Sequence, residues 1–550
     1  MRSFLSSLGI LLIALFLYSA ISAEAQDKEP LNQEPGEIAE LFNSVEKGIR
    51  VWDIRGASAA AEQARSIAAS EAERAQADYY SAIVEFHKGN YKEAGEYAGR
   101  ALSSDAFDLD KGFLNFISKV SDTVPEFKEY KTDNFIIRYS DPRDRVLAEY
   151  GKDVLEKSRF EIGFDLKTYP EEPVIVEIYP DMASFTLAST LSSGSVKTTG
   201  VVGICKFNRI MILSPRLLPR GYTWSDTLAH EYTHYLVFLK SGNTVPVWLH
   251  EGIAKFQEKR WKEKKARVLS PFYETMLSRA LEKDELVPIE KMHPSLAMLD
   301  SAREAQLAFA QAGTTISYLV DNWGSDALVE LILAIKDTND YKAAIGKVTG
   351  MDFDTFYRSW KDDLRSKELQ EKIPDLKVKG VRISNNMEES DDDSEDLVDI
   401  DDKRARDHTR LGDLLRMRGR ARSSAYEYEK ALKYDPASPI ISTRLASSLA
   451  SSGKTDKARE VIDPVLEIYP DYIGLHMVLG KIYMEKGNLS KAEEAFQTAI
   501  SINPFDPVIH DSLIYIYEEQ GKKESADRER EIMNILLRRE TDNEQQSVSE

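Results

Sequence analysis

Five consecutive residues, His230-Glu231-Tyr232-Thr233-His234, have the types and spacing of a metal site. On a helix, residues four apart lie one above the other on a single face, so both imidazoles can reach one ion. Glu231 leaves a carboxylate beside that ion, a group of the type used for proton transfer. With only 8 histidines in 550 residues, this H-E-x-x-H run is a specific signal.

Two ligands do not complete a site. A continuation with Gly three residues after the second His and a third His three further on is absent, because those places hold Val237 and Lys240. Glu251 is the remaining candidate, within Val245-Pro246-Val247-Trp248-Leu249-His250-Glu251-Gly252-Ile253-Ala254. A helix running on from His234 to Lys240 advances about 9 Å, and a second helix from Val247 to Glu251 recovers about 6 Å. With Ser241-Gly242-Asn243 as the turn, Glu251 returns beside the histidines. His250 points about 100° away from Glu251 on that helix and reads as a surface or packing residue.

These residues must be carried by ordered elements. Thr223-Trp224-Ser225-Asp226 predicts a capping box opening the helix of the two histidines, with Leu228, Tyr232, Tyr235 and Leu236 as its apolar contacts. Upstream, Phe135 to Tyr139, Val174 to Tyr179 and Ile210 to Leu213 are β-branched and aromatic runs that read as strands. From Ser225 onward the pattern is helical. A mixed sheet followed by a helical half predicts an α+β domain over about residues 127–370.

The segments Asp226-Thr227-Leu228-Ala229-His230-Glu231-Tyr232-Thr233-His234-Tyr235 and Trp248 to Ala254 resemble the peptidase MA-like domain of gluzincin metallopeptidases. Weaker matches are Gly203 to Ile210, Ser317-Tyr318-Leu319 and Trp323-Gly324. The resemblance implies a zincin-like fold, with His230, His234 and Glu251 as ligands of Zn²⁺ and Glu231 as general base for a metal-activated water. It further implies that Ile210 to Leu213 form the sheet edge above the metal, where an extended substrate pairs as an added strand. Two departures stand out. Where a tyrosine would steady the oxyanion the chain has Phe309, leaving Tyr318 or His293 for that place. Where some gluzincins carry Asp four residues after the ligand Glu, this chain has Lys255.

A second pattern lies downstream. Pro436, Pro470 and Pro504 are 34 residues apart, as are Gly412, Ala446 and Gly480, and Ala458, Ala492 and Ala526. This is the tetratricopeptide period, and residues 405–540 resemble an all-α solenoid of about four such repeats. Residues 37–122 read as a helical module, in which Gly89-Asn90-Tyr91-Lys92-Glu93-Ala94 resembles half of another repeat. Residues 371–404, with Glu388 to Asp396 almost wholly acidic, read as a flexible linker that would leave catalytic domain and repeats to fold separately. The run lacks the glycine and spacing of a calcium loop. Residues 541–550 read as a disordered tail.

The start combines Arg2, an apolar run from Leu8 to Leu17 and Ala23-Glu24-Ala25. That is a secretory signal peptide with cleavage after Ala25, the alternative being an uncleaved membrane anchor. An exported, periplasmic or secreted protein is therefore expected. Cys205 is the single cysteine, so no internal disulfide forms, and it reads as a small buried hydrophobe. As a fourth ligand it would close the metal site. The formal charge of −20 argues against nucleic acid as the main partner. Expected partners are a protein or peptide substrate and a protein held by the repeats. The competing reading is a non-catalytic zincin-fold scaffold whose repeats carry the interaction. An aminopeptidase is disfavoured because no G-x-M-E-N run is present.

Overall fold

In a computed structural model, residues 36–547 are described, apart from 105, 107–109, 195, 197–199, 267, 294–295, 297–298, 374–375 and 377–394. The signal-peptide or anchor segment and most of the acidic linker lie outside the described residues. Among those described, no helix is long and apolar enough to cross a membrane. The chain divides into two units, one reaching Val124 and including Thr186–Ser192, the other formed by Pro125–Phe185 and Ser193 onward.

Among the described residues up to Val124, the first unit holds five helices: α1 (Glu37–Val51), α2 (Ile54–Ile67), α3 (Glu71–His87), α4 (Tyr91–Leu102) and α5 (Lys111–Thr123). Neighbouring helices pair as hairpins. Alanines at 57, 60, 61 and 64 bury the inner face of α2 and let it approach α1 closely. A capping box starts α3, with Ser70 Oγ accepting the Glu73 N–H while Glu73 accepts the Ser70 N–H.

The second unit begins with a five-stranded sheet of β1 (Lys128–Lys131), β2 (Phe135–Tyr139), β3 (Val174–Tyr179), β4 (Gly203–Lys206) and β5 (Arg209–Leu213). Its order is β1-β2-β3-β5-β4. The β2–β3 and β3–β5 pairs are parallel, and β1–β2 and β4–β5 are antiparallel. Helix α6 (Arg145–Leu166) connects β2 to β3, and α7 (Met182–Ser189) follows β3. The sheet edge corrects one expectation. Ile210 to Leu213 lie on β5, which is paired on both sides, so the edge strand on that side of the sheet is β4.

Helix α8 (Trp224–Ser241) packs on α6, β4 and β5, and α9 (Val247–Gln257) packs beside it. The remaining helices of this region are α10 (Pro271–Lys283), α11 (Ala302–Trp323), α12 (Asp326–Thr338), α13 (Tyr341–Thr349) and α14 (Phe353–Ser366). Gly252 allows α9 to touch α11, since a Cβ there would lie 2.6 Å from the Ala312 carbonyl oxygen. The expected capping box at Thr223 does not form, as its side chain accepts no cap hydrogen bond. Asp226 is instead drawn to Trp261 Nε1, 2.9 Å away, and to Lys262 Nζ, 2.7 Å away.

Four helical hairpins complete the chain: α15 (Lys403–Met417) with α16 (Ala421–Leu432), α17 (Pro439–Ser451) with α18 (Thr455–Ile468), α19 (Ile473–Glu485) with α20 (Leu489–Ile502), and α21 (Pro507–Glu519) with α22 (Lys523–Ser547). Small residues set the hairpin spacing. A Cβ on Gly412 would meet the Tyr428 ring at 2.4 Å, and one on Gly480 would meet the Phe496 ring at 2.7 Å. Helix α22 runs to Ser547, so residues 541–547, expected as tail, are helical.

The array is not independent of the region that bears the sheet, contrary to the linker reading. The last carbonyls of α20 have no partners within their helix and must find donors elsewhere. The Ile500 carbonyl accepts Trp224 Nε1–H at 2.8 Å, and the Ile502 carbonyl accepts the Tyr222 N–H at 3.1 Å. Gly221, at φ +68°, makes this approach, because a Cβ there would sit 2.4 Å from the Ile502 oxygen. Further along, Val146 of α6 packs with Ile532 and Leu536 of α22. Tyr150 donates to Glu529 at 2.7 Å, and Arg528 pairs with Asp153 at 2.7 Å.

Candidate metal centre

Helix α8 carries His230, Glu231 and His234, and the turn Ser241 to Pro246 brings α9 back alongside it. Gly242 caps α8 in the left-handed conformation, φ +64°, with its N–H on the Phe238 carbonyl. Glu251 then faces both rings. His230 Nε2 and His234 Nε2 are 3.2 Å apart, and the Glu251 Oε2 atom is 3.3 Å from each. Atoms that each lie about 2.0–2.1 Å from one tetrahedral zinc are about 3.3 Å from one another, so this donor set has the size the ion requires. It is the group among the described residues whose donor atoms gather closely enough to hold a metal. The side chains of His230, His234 and Glu251 keep 13%, 12% and 21% exposure, so the centre is open to solvent on one side.

The other ring nitrogens are also engaged. His234 Nδ1 lies 2.7 Å from His250 Nδ1, and His230 Nδ1 lies 3.4 Å from Glu258 Oε2. Such outer contacts fix ring orientation and tautomer. Burial and the neighbouring His234 push the His250 ring down to about 3, which keeps it neutral and able to accept the His234 Nδ1–H. His250 is thus no surface residue, although it stands outside the three-donor cluster. Glu258 takes the supporting place left open at Lys255, and Lys255 Nζ pins it at 2.8 Å. Burial would raise both acidic groups here. His234 and His230 instead hold the Glu251 carboxyl well below the usual carboxylate range, and Lys255 with His230 lowers Glu258 to about 2.

Glu231 is buried, and burial raises its carboxyl, offset in part by His234 and His230. The Cys205 backbone N–H of β4 donates to it. Gly203 provides the room, since a Cβ there would lie 2.6 Å from Thr227 Cγ2 and 2.9 Å from Glu231 Oε1. Cys205 itself is half-buried, and its thiol is not in the donor cluster. Of the residues considered for the oxyanion, Phe309 lies by Lys255, with the ammonium 5.8 Å from its ring centre. Tyr318 is buried against Trp323 and Phe356, and His293 is exposed.

Sequence reasoning missed Glu258 and the contact through His250. Glu258 stands seven residues after Glu251, two helical turns on along the same face, and that spacing was the signal that could have found it.

We expect Glu258→Gln to weaken zinc binding about 10–100-fold while leaving the fold intact, because it removes an outer carboxylate and no donor. Competition with a chromogenic chelator measures this. Unchanged affinity would show that the Glu258–His230 contact does not orient the ring.

Comparison with known proteins agrees with this architecture. The chain carries a Peptidase MA superfamily domain over residues 162–366 and tetratricopeptide repeats over residues 45–108, 409–473 and 474–506. No curated protein matches it. Among solved structures, it is similar to a thermophilic TPR protein of Thermus thermophilus, with 25% identity, 24% of this chain and 74% of that one covered, and a TM-score of 0.23. It is also similar to the Cut9-Hcn1 hetero-tetramer of the APC/C, with 12% identity, 92% and 80% covered, and a TM-score of 0.26.

Proposed function

We propose that this chain is an exported zinc-dependent peptidase whose repeats recruit protein substrates or partners. The observation that carries the proposal is the set of three donor atoms 3.2–3.3 Å apart, with the buried Glu231 carboxylate beside them. Zinc held by His230, His234 and Glu251 would supply Lewis-acid polarisation of a peptide carbonyl and acidify a bound water.

The chain's own groups then divide the work. Glu231 accepts a proton from the attacking water and returns it to the leaving amine. The Cys205 N–H and the space over Gly203 fix the carboxylate in place. Strand β4, at the edge of the sheet, receives an extended substrate as an added strand beside the Cys205 N–H that holds Glu231. Export rests on the basic, apolar and Ala-x-Ala order of residues 1–25, and repeats of this class imply protein partners.

The test is cleavage of an unfolded generic protein by the full chain, with and without chelator, followed by mass spectrometry of the new termini. Chelator-sensitive cleavage supports the proposal. Absence of cleavage from a zinc-loaded chain would favour the scaffold reading.

A further inference from the structure

We infer that the open end of the C-terminal array, the outer face of α15, docks an amphipathic helix of a partner protein whose apolar stripe is flanked by acidic residues. The inference goes beyond the peptidase reading and does not depend on the metal centre.

The 34-residue period allows each position of α15 to be compared with its equivalents. Those of Leu411 are Leu445, Leu479 and Leu513, which are 2%, 8% and 0% exposed. Those of Leu414 are Ser448, Ile482 and Ile516, at 1%, 0% and 0%. They are buried because the second helix of the preceding repeat lies on them, as Ser424 of α16 does when it donates to Ser448 at 2.9 Å. Among the described residues, no preceding hairpin lies on this surface in the first repeat, although the short segment Glu395–Asp399 touches α15. Leu411 is 45% exposed and Leu414 is 47% exposed. Met417, 77% exposed, extends the stripe where the later repeats have Ser451, Glu485 and Glu519. A terminal repeat that faced only water would carry a polar outer face. This one keeps the apolar face of an interior repeat, which is shaped to receive another helix.

The charge on α15 selects the occupant. In a chain of net charge −20, Lys403 to Met417 holds five Lys or Arg against two Asp. Both aspartates are already neutralised, Asp413 by Arg444 at 2.5 Å and Asp407 by Lys403 at 2.6 Å. Arg410 and Arg418, both exposed, stand four residues before and after Leu414, so they border the stripe at each end of its face. A second copy stacked on the same face would oppose arginine to arginine. A helix with glutamates or aspartates beside its leucines would pair with them instead.

The probe is a fluorescently labelled, helix-stapled peptide with leucines at helical spacing flanked by glutamates, and a twin flanked by lysines. Each is titrated against the full chain by anisotropy, with chelator present to prevent cleavage. We expect the glutamate peptide to bind at least tenfold more tightly than the lysine twin. Leu414→Glu, at an exposed position, should weaken it at least tenfold while leaving thermal unfolding unchanged. Equal binding of the two peptides, or parental affinity in Leu414→Glu, would overturn the inference. So would self-association of the chain that Leu414→Glu abolishes, since the face would then belong to a second copy.

Discussion

Glu231→Gln should retain zinc at parental stoichiometry and lose at least about two orders of magnitude of peptidase activity. The carboxamide has almost the same shape as the carboxylate, so it still fits the room that Gly203 leaves. None of the three donor atoms comes from Glu231. What disappears is a base, and positioned acid–base groups contribute roughly 10²–10⁴-fold to rate. Comparing kcat/KM with metal content separates the two effects. If the variant cleaved as fast as its parent, proton transfer would have to be reassigned. If it lost zinc as well, Glu231 would be supporting the centre and not only the chemistry.

The second large effect concerns Trp224. Its indole is fully buried at the first turn of the helix that bears both histidines, and its Nε1–H holds the Ile500 carbonyl of the repeat array. Trp224→Ala removes that packing and leaves a helix-terminal carbonyl without its donor. Truncation of a buried aromatic costs about 3–5 kcal/mol, with the orphaned carbonyl adding to the loss. We expect the midpoint of denaturant unfolding to fall accordingly. We also expect parental chain nicked by protease within residues 377–394 to elute as one particle, and nicked Trp224→Ala to separate into two. Dissociation of the nicked parent would show that the contacts of α20 and α22 are too weak to join the array to the catalytic region.

These two residues also show where sequence reading succeeds and fails. His230, His234 and Glu251 could be brought together on paper because helical rise and one short turn relate them, and in the structure their donor atoms meet. The 34-residue repeat was legible for a similar reason, since each hairpin contacts mainly its neighbours. Strand β4 was not recognised as an edge, because four residues with Gly203 and Lys206 at its ends show no strand alternation. Trp224 and Ile500 are 276 positions apart, and nothing in either segment announces the other. The acidic run suggested separation of the halves, yet docking is decided by surfaces elsewhere: Gly221, Tyr150 and the apolar contact of Val146 with Ile532. Glu258 was missed although its spacing was legible, since its role depends on where α9 ends and on Lys255 holding it.

The most direct measurement of the central claim is the metal content of the purified full chain beside His234→Ala and Glu251→Ala, by inductively coupled plasma mass spectrometry after dialysis against metal-free buffer. We expect one zinc per parental chain, little or none in either variant, and a His250→Ala chain that still binds zinc, because His250 touches His234 without contributing a donor to the cluster. A parental chain without zinc, or full zinc in Glu251→Ala with loss in His250→Ala, would contradict the claim.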